Sequence, residues 1–359
     1  MMDFMPMDSM PRRAFVQMPA VVAAADLANL PRYRAVSPYP AGPEPNRFPA
    51  RVATSKVDEN EASVRQAISA TLRALTGAAN DRDAWATFVQ PADVVGVKVN
   101  CSGAPKILSH PLIVGEIARQ LTLSGVAPQN IYVFERFANQ MVTANYTPHL
   151  PAGAQIHAME DGTRRGGISN YDQRAYVETD FFGEEQTRSF LSKLVTRTLT
   201  KIVNVPNMKD HGAAGVTGCL KNLAYGSFSN VARSHRDSRT HTLSFIGELY
   251  RLEPLRSKSV LHVMDGIRGV WQGGPFVKDD RYLFEPRLLM AGTDPVAMDR
   301  LLIDVIENKR REMGAVSVWD RSPAALKDGA YFREPGHIEF ASKLGLGVYD
   351  RARIAEIRA

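Results

Sequence analysis

Val94-Val-Gly-Val-Lys-Val99, followed by the segment from His110 to Ser124 and then by Ile131-Tyr-Val-Phe134, is the stretch on which the fold reading turns. The first run is rich in β-branched residues and bounded by Asp93 and Asn100, the pattern of a buried strand. His110–Ser124 reads as a helix that opens near Pro111 and is stopped by Gly125. Ile131–Phe134 is the next strand. Strand, helix and strand at this spacing form a β-α-β unit, which predicts a parallel sheet.

Working outward, Glu59–Thr76 carries Val64, Ile68, Leu72 and Leu75 on one helical face and ends at Gly77. Leu199–Val205 reads as a strand that runs into a glycine-rich loop. Val260–Met264 reads as a strand ending at Asp265, and Arg287–Ala291 as another. Pro295–Lys309 then reads as a helix with proline in its first turn and Asp294 as its cap. The expectation is an α/β protein, a mainly parallel, Rossmann-like sheet flanked by helices. The chain of 359 residues is longer than one compact core usually holds, so two lobes are expected, 51–205 and 206–359, behind a Pro-rich arm at 1–50.

Composition bounds the function. Hydrophobic residues at 44% and charged residues at 23% belong to a globular chain, not a disordered one. The two cysteines, Cys101 and Cys219, cannot build a disulfide framework, an all-cysteine zinc site or a cysteine-ligated iron–sulfur cluster within one chain. No run of apolar residues is long enough for a transmembrane segment. The net charge is +6, yet residues 187–258 alone hold twelve Lys and Arg against four acids, a local +8 that predicts an anionic partner. These cations are interleaved with Gly and His and lack an aromatic stacking platform, which argues against a nucleic-acid reader and for an anionic small molecule.

The arm has two readings. Pro11-Arg12-Arg13-Ala14-Phe15-Val16, with the apolar stretch to Ala23-Ala24-Ala25, resembles a twin-arginine export signal, but Pro19 breaks the stretch, so a degenerate signal is equally consistent. Residues 1–50 also hold nine of the 22 prolines, the composition of a loose arm. Cytoplasmic and periplasmic locations both stay open, as does assembly as a homo-oligomer. Phe15, Val16, Val21, Val22 and Leu27 are the side chains through which the arm would dock instead.

Ligands of open α/β sheets collect beyond the carboxyl ends of strands. The polar groups at Lys98 and Asn100, at Asn204–His211, at Asp265 and at Asp294 all follow or end expected strands, so convergence is expected. In the loop after residue 205, Gly215 and Gly218 would let backbone N–H groups approach an anion. Lys221 supplies a point charge or a covalent adduct. His211 and His235 serve as an acid/base pair or, with Asp265, as metal ligands. Lys98, Asn100, Gly215, Gly218 and Asn222 are the expected cofactor-binding residues. The bland reading makes the glycines simple turns and Lys221 a solvated surface residue. Cys219 reads as a packing residue, Trp271 as the wall of a pocket or a core filler, and His241 and His262 as ordinary, partly buried histidines.

Taken in order, Gly96-Val-Lys98-Val-Asn100, Ser109-His110-Pro111, Asn204-Val-Pro-Asn-Met-Lys209-Asp-His211, Thr217-Gly-Cys-Leu-Lys221-Asn222, Met264-Asp265-Gly266, Gly273-Gly274-Pro275 and Gly292-Thr-Asp294-Pro295 resemble the motifs of domain-of-unknown-function family 362 over about residues 90–348. Ferredoxin-type cysteine motifs, which many members carry, are missing here. A more distant resemblance links His211, Gly215, Gly218, Lys221 and His235 to the segment with which nickel-pincer lactate racemases hold their nicotinate-derived cofactor. Ser109-His110-Pro111 stands where those enzymes have Thr-Arg-Pro, a departure that weakens any claim of lactate specificity.

The functional expectation is a small-molecule enzyme, an isomerase or an oxidoreductase. It would bind an anionic substrate or a phosphate-bearing cofactor and transfer a proton or hydride at carbon, in the manner of an isomerase or racemase. What the resemblance implies as cofactor is a metal ion or a nickel-pincer-type nucleotide. The alternative is a non-catalytic binding or accessory protein of an exported redox system.

Overall fold

The computed structural model describes residues 30–160, 170–236, 239–320 and 335–359. The arginine pair and apolar stretch read as an export signal lie outside these, as do Phe15, Val16, Val21, Val22 and Leu27. Along the chain the strands are β1 (Arg34–Val36), β2 (Arg51–Lys56), β3 (Val95–Lys98), β4 (Ile131–Phe137), β5 (Gln155–Glu160), β6 (Tyr171–Glu178), β7 (Arg188–Ser192), β8 (Lys201–Asn204), β9 (Asn207–His211), β10 (Gly215–Thr217), β11 (His235–Arg236), β12 (Arg239–Thr240), β13 (Ser259–Val270), β14 (Leu283–Phe284), β15 (Leu288–Gly292) and β16 (Ala355–Arg358). Eleven of them form one sheet along the path β16-β2-β15-β13-β8-β3-β4-β5, with β9 and β14 paired to β13 and β10 paired to β9. From β13 to β5 every neighbour is parallel, whereas β15 runs antiparallel to both β13 and β2. The fold is α/β with a mostly parallel sheet, and strands from both sides of residue 205 share it.

Alternation along the strands sends side chains into two cores. Val95, Val97, Ile131, Val133, Leu261 and Val263 pack on one face, against Val64, Ile68 and Leu72 of helix Glu61–Thr76 and Ile113 and Ile117 of helix Pro111–Leu123. Phe134, Ile202, Met264 and Met290 point to the other face, against helices Cys219–Ser227, Thr242–Tyr250 and Pro295–Glu312. Both helix ends of 61–76 follow sequence chemistry: Asn60 accepts from Ser63 N–H, and Gly77 closes the helix at φ 78°.

Strand winding positions the site. From β3 the chain moves outward to β4 and β5, then returns to the other side of β3 for β8 and continues to β13. The direction of winding therefore reverses between β3 and β8, and such a switch point opens a crevice beyond the carboxyl ends of the strands.

Three expectations change. The segment after residue 205 is not a loop: β9 and β10 pair as a hairpin, His211 opposite Gly215, and Lys221 lies on a helix. β13 does not end at Asp265 but runs to Val270, changing partner from β8 to β9 with a register shift between Asp265 and Gly269. Residues 30–50 of the arm lie on the body of the protein: β1 pairs with β6, the Tyr33 hydroxyl is 2.7 Å from Ser244 Oγ, and the Tyr39 hydroxyl donates to Asp172.

Asp294 caps helix 295–312 as expected and does more. Its carboxylate, fully buried, accepts from Ala297 N–H at 2.9 Å and from Ala50 and Val348 N–H at 3.0 Å each, joining three distant segments. Asp294→Ala leaves one buried and two partly buried donors without an acceptor, so it should cost roughly 2–4 kcal/mol, more than an ordinary cap of about 1. Urea unfolding of the full chain checks this, and a loss no larger than that of a surface cap would show that the junction is solvated.

Candidate functional site

Beyond the ends of β3 and β4, roofed by the β9–β10 hairpin and helix 219–227, lies a cavity of about 410 Å³. It is lined by His211, His235, Lys221, Asn100, Asn222 and Glu135, with Phe276 half exposed at its rim. His211 and His235, 24 positions apart in sequence, stack with ring centroids 5.7 Å apart and planes 11° from parallel.

The hydrogen bonds fix the two tautomers. His211 Nδ1 accepts from the N–H groups of Ala213 and Ala214, each at 3.1 Å, so its neutral ring carries the proton on Nε2. His235 Nδ1 faces the Ala232 carbonyl oxygen at 2.9 Å, and an oxygen that only accepts requires N–H on Nδ1, leaving the lone pair on Nε2. Burial, reinforced by the Lys221 charge, pushes both rings below the usual histidine range, His211 far below it, so both are neutral near pH 7. One imidazole thus offers a proton and the other a lone pair.

Beneath them lies a polar floor. Lys98 Nζ is 3.0 Å from Glu135 Oε2 and donates to Asn222 Oδ1 and the Val99 carbonyl; Lys209 Nζ donates to Asn100 Oδ1 and to both oxygens of Ser102. Asn222 in turn donates to Asn204, which donates to the Cys219 carbonyl. Lys221 stands apart. Its Nζ lies 4.5 Å over the Tyr225 ring and has no hydrogen-bond acceptor among the described residues. Burial pushes Lys209 and Lys221 down to about 7.

Local sequence explains the placement. Gly218 lets the Asp299 carboxylate reach the first turn of helix 219–227, where it accepts from Cys219 and Leu220 N–H; a Cβ on Gly218 would sit 2.0 Å from Asp299 Oδ1. Gly215 adopts φ 76° in the hairpin, against Pro335. Neither glycine lines the cavity, so their contribution is to backbone geometry.

Of the expected residues, His211, His235, Lys221, Asn100 and Asn222 meet at the cavity, and Lys98 lies buried just below. Asp265, expected as a third metal ligand, does not join them. Because β13 continues past it, Asp265 lines a second cleft of about 230 Å³ with Glu59, His110 and Arg268, and its oxygens accept from His110 and Ile267 N–H. His110 and Pro111, placed opposite the Thr-Arg-Pro segment of the racemases, belong to that second cleft as well. Among the described residues no three His, Cys, Asp or Glu side chains converge as a metal-ligand set. Nor is Lys221 a surface residue: it is 8% exposed, so truncating it would disturb packing as well as charge.

The local +8 does not form one surface either. Arg188, Arg197, Arg233 and Arg256 pair with Glu178, Asp172, Glu184 and Glu44, acids that lie outside the 187–258 window. Among the described residues, Lys209 and Lys221 are the cations of that window that reach the site. Cys219 is buried, with its thiol pushed up by burial, as a packing residue should be. His262 is fully buried and held near 3 by burial, and Trp271 donates to the Arg281 carbonyl. Glu135, Arg136 and Tyr225 are site residues that pattern reading passed over, and Lys209 lay within the segment Asn204–His211 without a role of its own. Glu135 and Arg136 directly follow the expected strand Ile131–Phe134, so the rule about strand ends would have found them.

Residues 95–304 match the family described as Domain of unknown function (DUF362). No curated protein matches the chain. A crystal structure of a Thermotoga maritima protein, solved as a structural-genomics target, is similar at a TM-score of 0.36 and 8% identity; the likeness covers 72% of this chain and 60% of that one. No helix among the described residues is long and apolar enough to cross a membrane.

A lysine held at about 7 in the fold but at 10.5 when exposed binds more protons unfolded than folded between those values, so its contribution to stability rises with pH across that window and is lost as pH falls to 7. Lys221→Met, which keeps the packing volume, should flatten that rise. Urea unfolding at a series of pH values measures it, and an unchanged slope would mean that Lys221 folds with its charge held.

Proposed function

The chain belongs to the Domain of unknown function (DUF362) family, and since that description carries no chemistry we propose from the cavity itself that the protein is an enzyme of small anionic molecules, one that moves a proton at carbon. The observation that carries this reading is the His211–His235 pair: on one cavity, one ring presents Nε2–H and the other a bare Nε2. A general acid and a general base set side by side are what enolisation requires, each contributing about 10²–10⁴-fold.

The stacking favours one kind of proton transfer over another. A carbon held between two parallel rings needs about 7 Å between them, twice a van der Waals contact of ~3.5 Å. The centroids are 5.7 Å apart, so the rings address a substrate from the same side. That supports a proton shift on one face, as in an isomerase, above the two-face inversion of a racemase. Lys209, whose proton three oxygens hold, lies below the cavity with Glu135 already paired to Lys98, and the positive charge left over suits a carboxylate or phosphate.

The likeness to the nickel-pincer segment rests on His211, Lys221 and His235, which share the cavity. The unpartnered Lys221 amine and the two Nε2 atoms are the groups that would hold such a nucleotide, whose own chemistry when bound is hydride acceptance. Nothing in the proton shift argued here needs it.

The test is exchange of carbon-bound hydrogen for deuterium in D2O, followed by NMR over a panel of 2-hydroxy acids, 2-oxo acids and phosphorylated carbonyl compounds. His211→Asn keeps an acceptor for Ala213 and Ala214 N–H, and His235→Asn keeps a donor for Ala232, so both should fold while exchange falls at least about 10²-fold. Binding without exchange for every compound would turn the reading to a non-catalytic binding protein.

A further inference from the structure

The three floor lysines are treated unequally. An ammonium has three N–H donors. Lys98 spends its donors on Glu135, Asn222 and the Val99 carbonyl, and Lys209 spends its own on Asn100 and the two Ser102 oxygens. Neither has a donor left for a ligand, and neither lines the cavity. Lys221 does line it, 4.5 Å over Tyr225 and without an acceptor among the described residues. On the same cavity, Thr217 Oγ1 is buried with no hydrogen-bond partner. Among the described residues, a buried hydroxyl without a partner and, beside it, an amine that reaches the cavity without a protein acceptor leave two donors for a ligand to meet.

The acceptors decide which amine keeps its proton. Three oxygens hold the proton on Lys209, whereas burial strips Lys221 of hydration and gives it no acceptor among the described residues in return, so Lys221 is the amine that goes neutral. A desolvated neutral lysine beside another cation is a nucleophile toward carbonyl carbon.

We propose that Lys221 is a covalent catalyst, its Nζ condensing with the carbonyl of an oxo acid to form an imine. This rests on the reading of the cavity as a site for an anionic ligand and names the substrate class. The amine lone pair forms the C–N bond while the carbonyl π electrons move to oxygen. His235 Nε2 takes a proton from nitrogen while His211 Nε2–H gives one to the alkoxide. His235 then gives its proton to the hydroxyl, which leaves as water as nitrogen closes the C=N bond, and the remaining nitrogen proton passes to His211 to leave the neutral imine. One carbonyl and one amine become one imine and one water, with no change of oxidation state. Protonated, the imine draws electrons from the neighbouring C–H, and the His pair removes and returns that proton through an enamine. Thr217 Oγ1 donates to the carboxylate.

The experiment treats the full chain with glyoxylate, an oxo acid small enough for the cavity, and then with sodium borohydride, followed by intact mass and peptide mapping. At pH 7 a lysine near 7 holds roughly 10³ times more neutral amine than an ordinary one, so the reduced adduct should form on Lys221 about 10²–10³ times faster than on exposed lysines. Lys221→Arg, checked for folding by circular dichroism, should abolish it. Calorimetry with glycolate, which has the carboxylate but no carbonyl, runs beside it. Glycolate binding without a Lys221 adduct overturns the imine and leaves the anion site standing. Absence of both overturns the imine and the anion site together, and an adduct spread over exposed lysines overturns the imine.

Discussion

The Asp299 carboxylate, held by two N–H groups at the start of helix 219–227, is the contact on which the site depends. That helix is buried along its whole length, so its first N–H groups have no water to turn to. Asp299 reaches them from helix 295–312, eighty positions away, through the space that Gly218 leaves open. Burial pushes this carboxyl up to about 7, the cost of placing an acid where two backbone donors and the Cys219 thiol do not make up for lost hydration. With the helix so fixed, Lys221 and Asn222 follow at consecutive positions, one on the cavity and the other in the polar floor.

The floor shows how a protein buries several amines at once. Lys98 is neutralised by Glu135 and Lys209 is solvated by oxygens, and the Asn222–Asn204 relay ties these groups to the backbone of the helix above. Full satisfaction of one part of the network leaves a defined vacancy in hydrogen bonding at another, the Lys221 amine and the Thr217 hydroxyl. Such asymmetry distinguishes a ligand-facing group from a structural one more sharply than residue type does, because all three are lysines.

Periodicity carries information about neighbours in sequence and so served the elements well. The β-branched run 94–99, the helix from Pro111, the cap at Asp294 and the Gly77 stop all depend on local backbone preference, and each appears within a few residues of its expected bounds. It served poorly where a strand's length depends on its partners. β13 continues past Asp265 because β9 receives it after the register shift, and glycines at 266 and 269 admit Met208 and Phe284 too closely for a side chain. That extension sends Asp265 to the second cleft and removes it from the histidines.

By itself, the sequence determined the α/β alternation, the placement of polar residues at strand ends and the candidates His211, His235, Lys221, Asn100 and Asn222, since these follow from residue type and short-range order. Tertiary structure alone decided which of them meet. The reversal of winding between β3 and β8 brings residues 100, 135, 211, 221 and 235 to one crevice, a fact of strand order with no local signature. It also decided the tautomers of the two histidines and the partner count of each lysine. Those depend on acceptors contributed from across the fold, and a hydrogen bond is made by distance in space, not by distance along the chain.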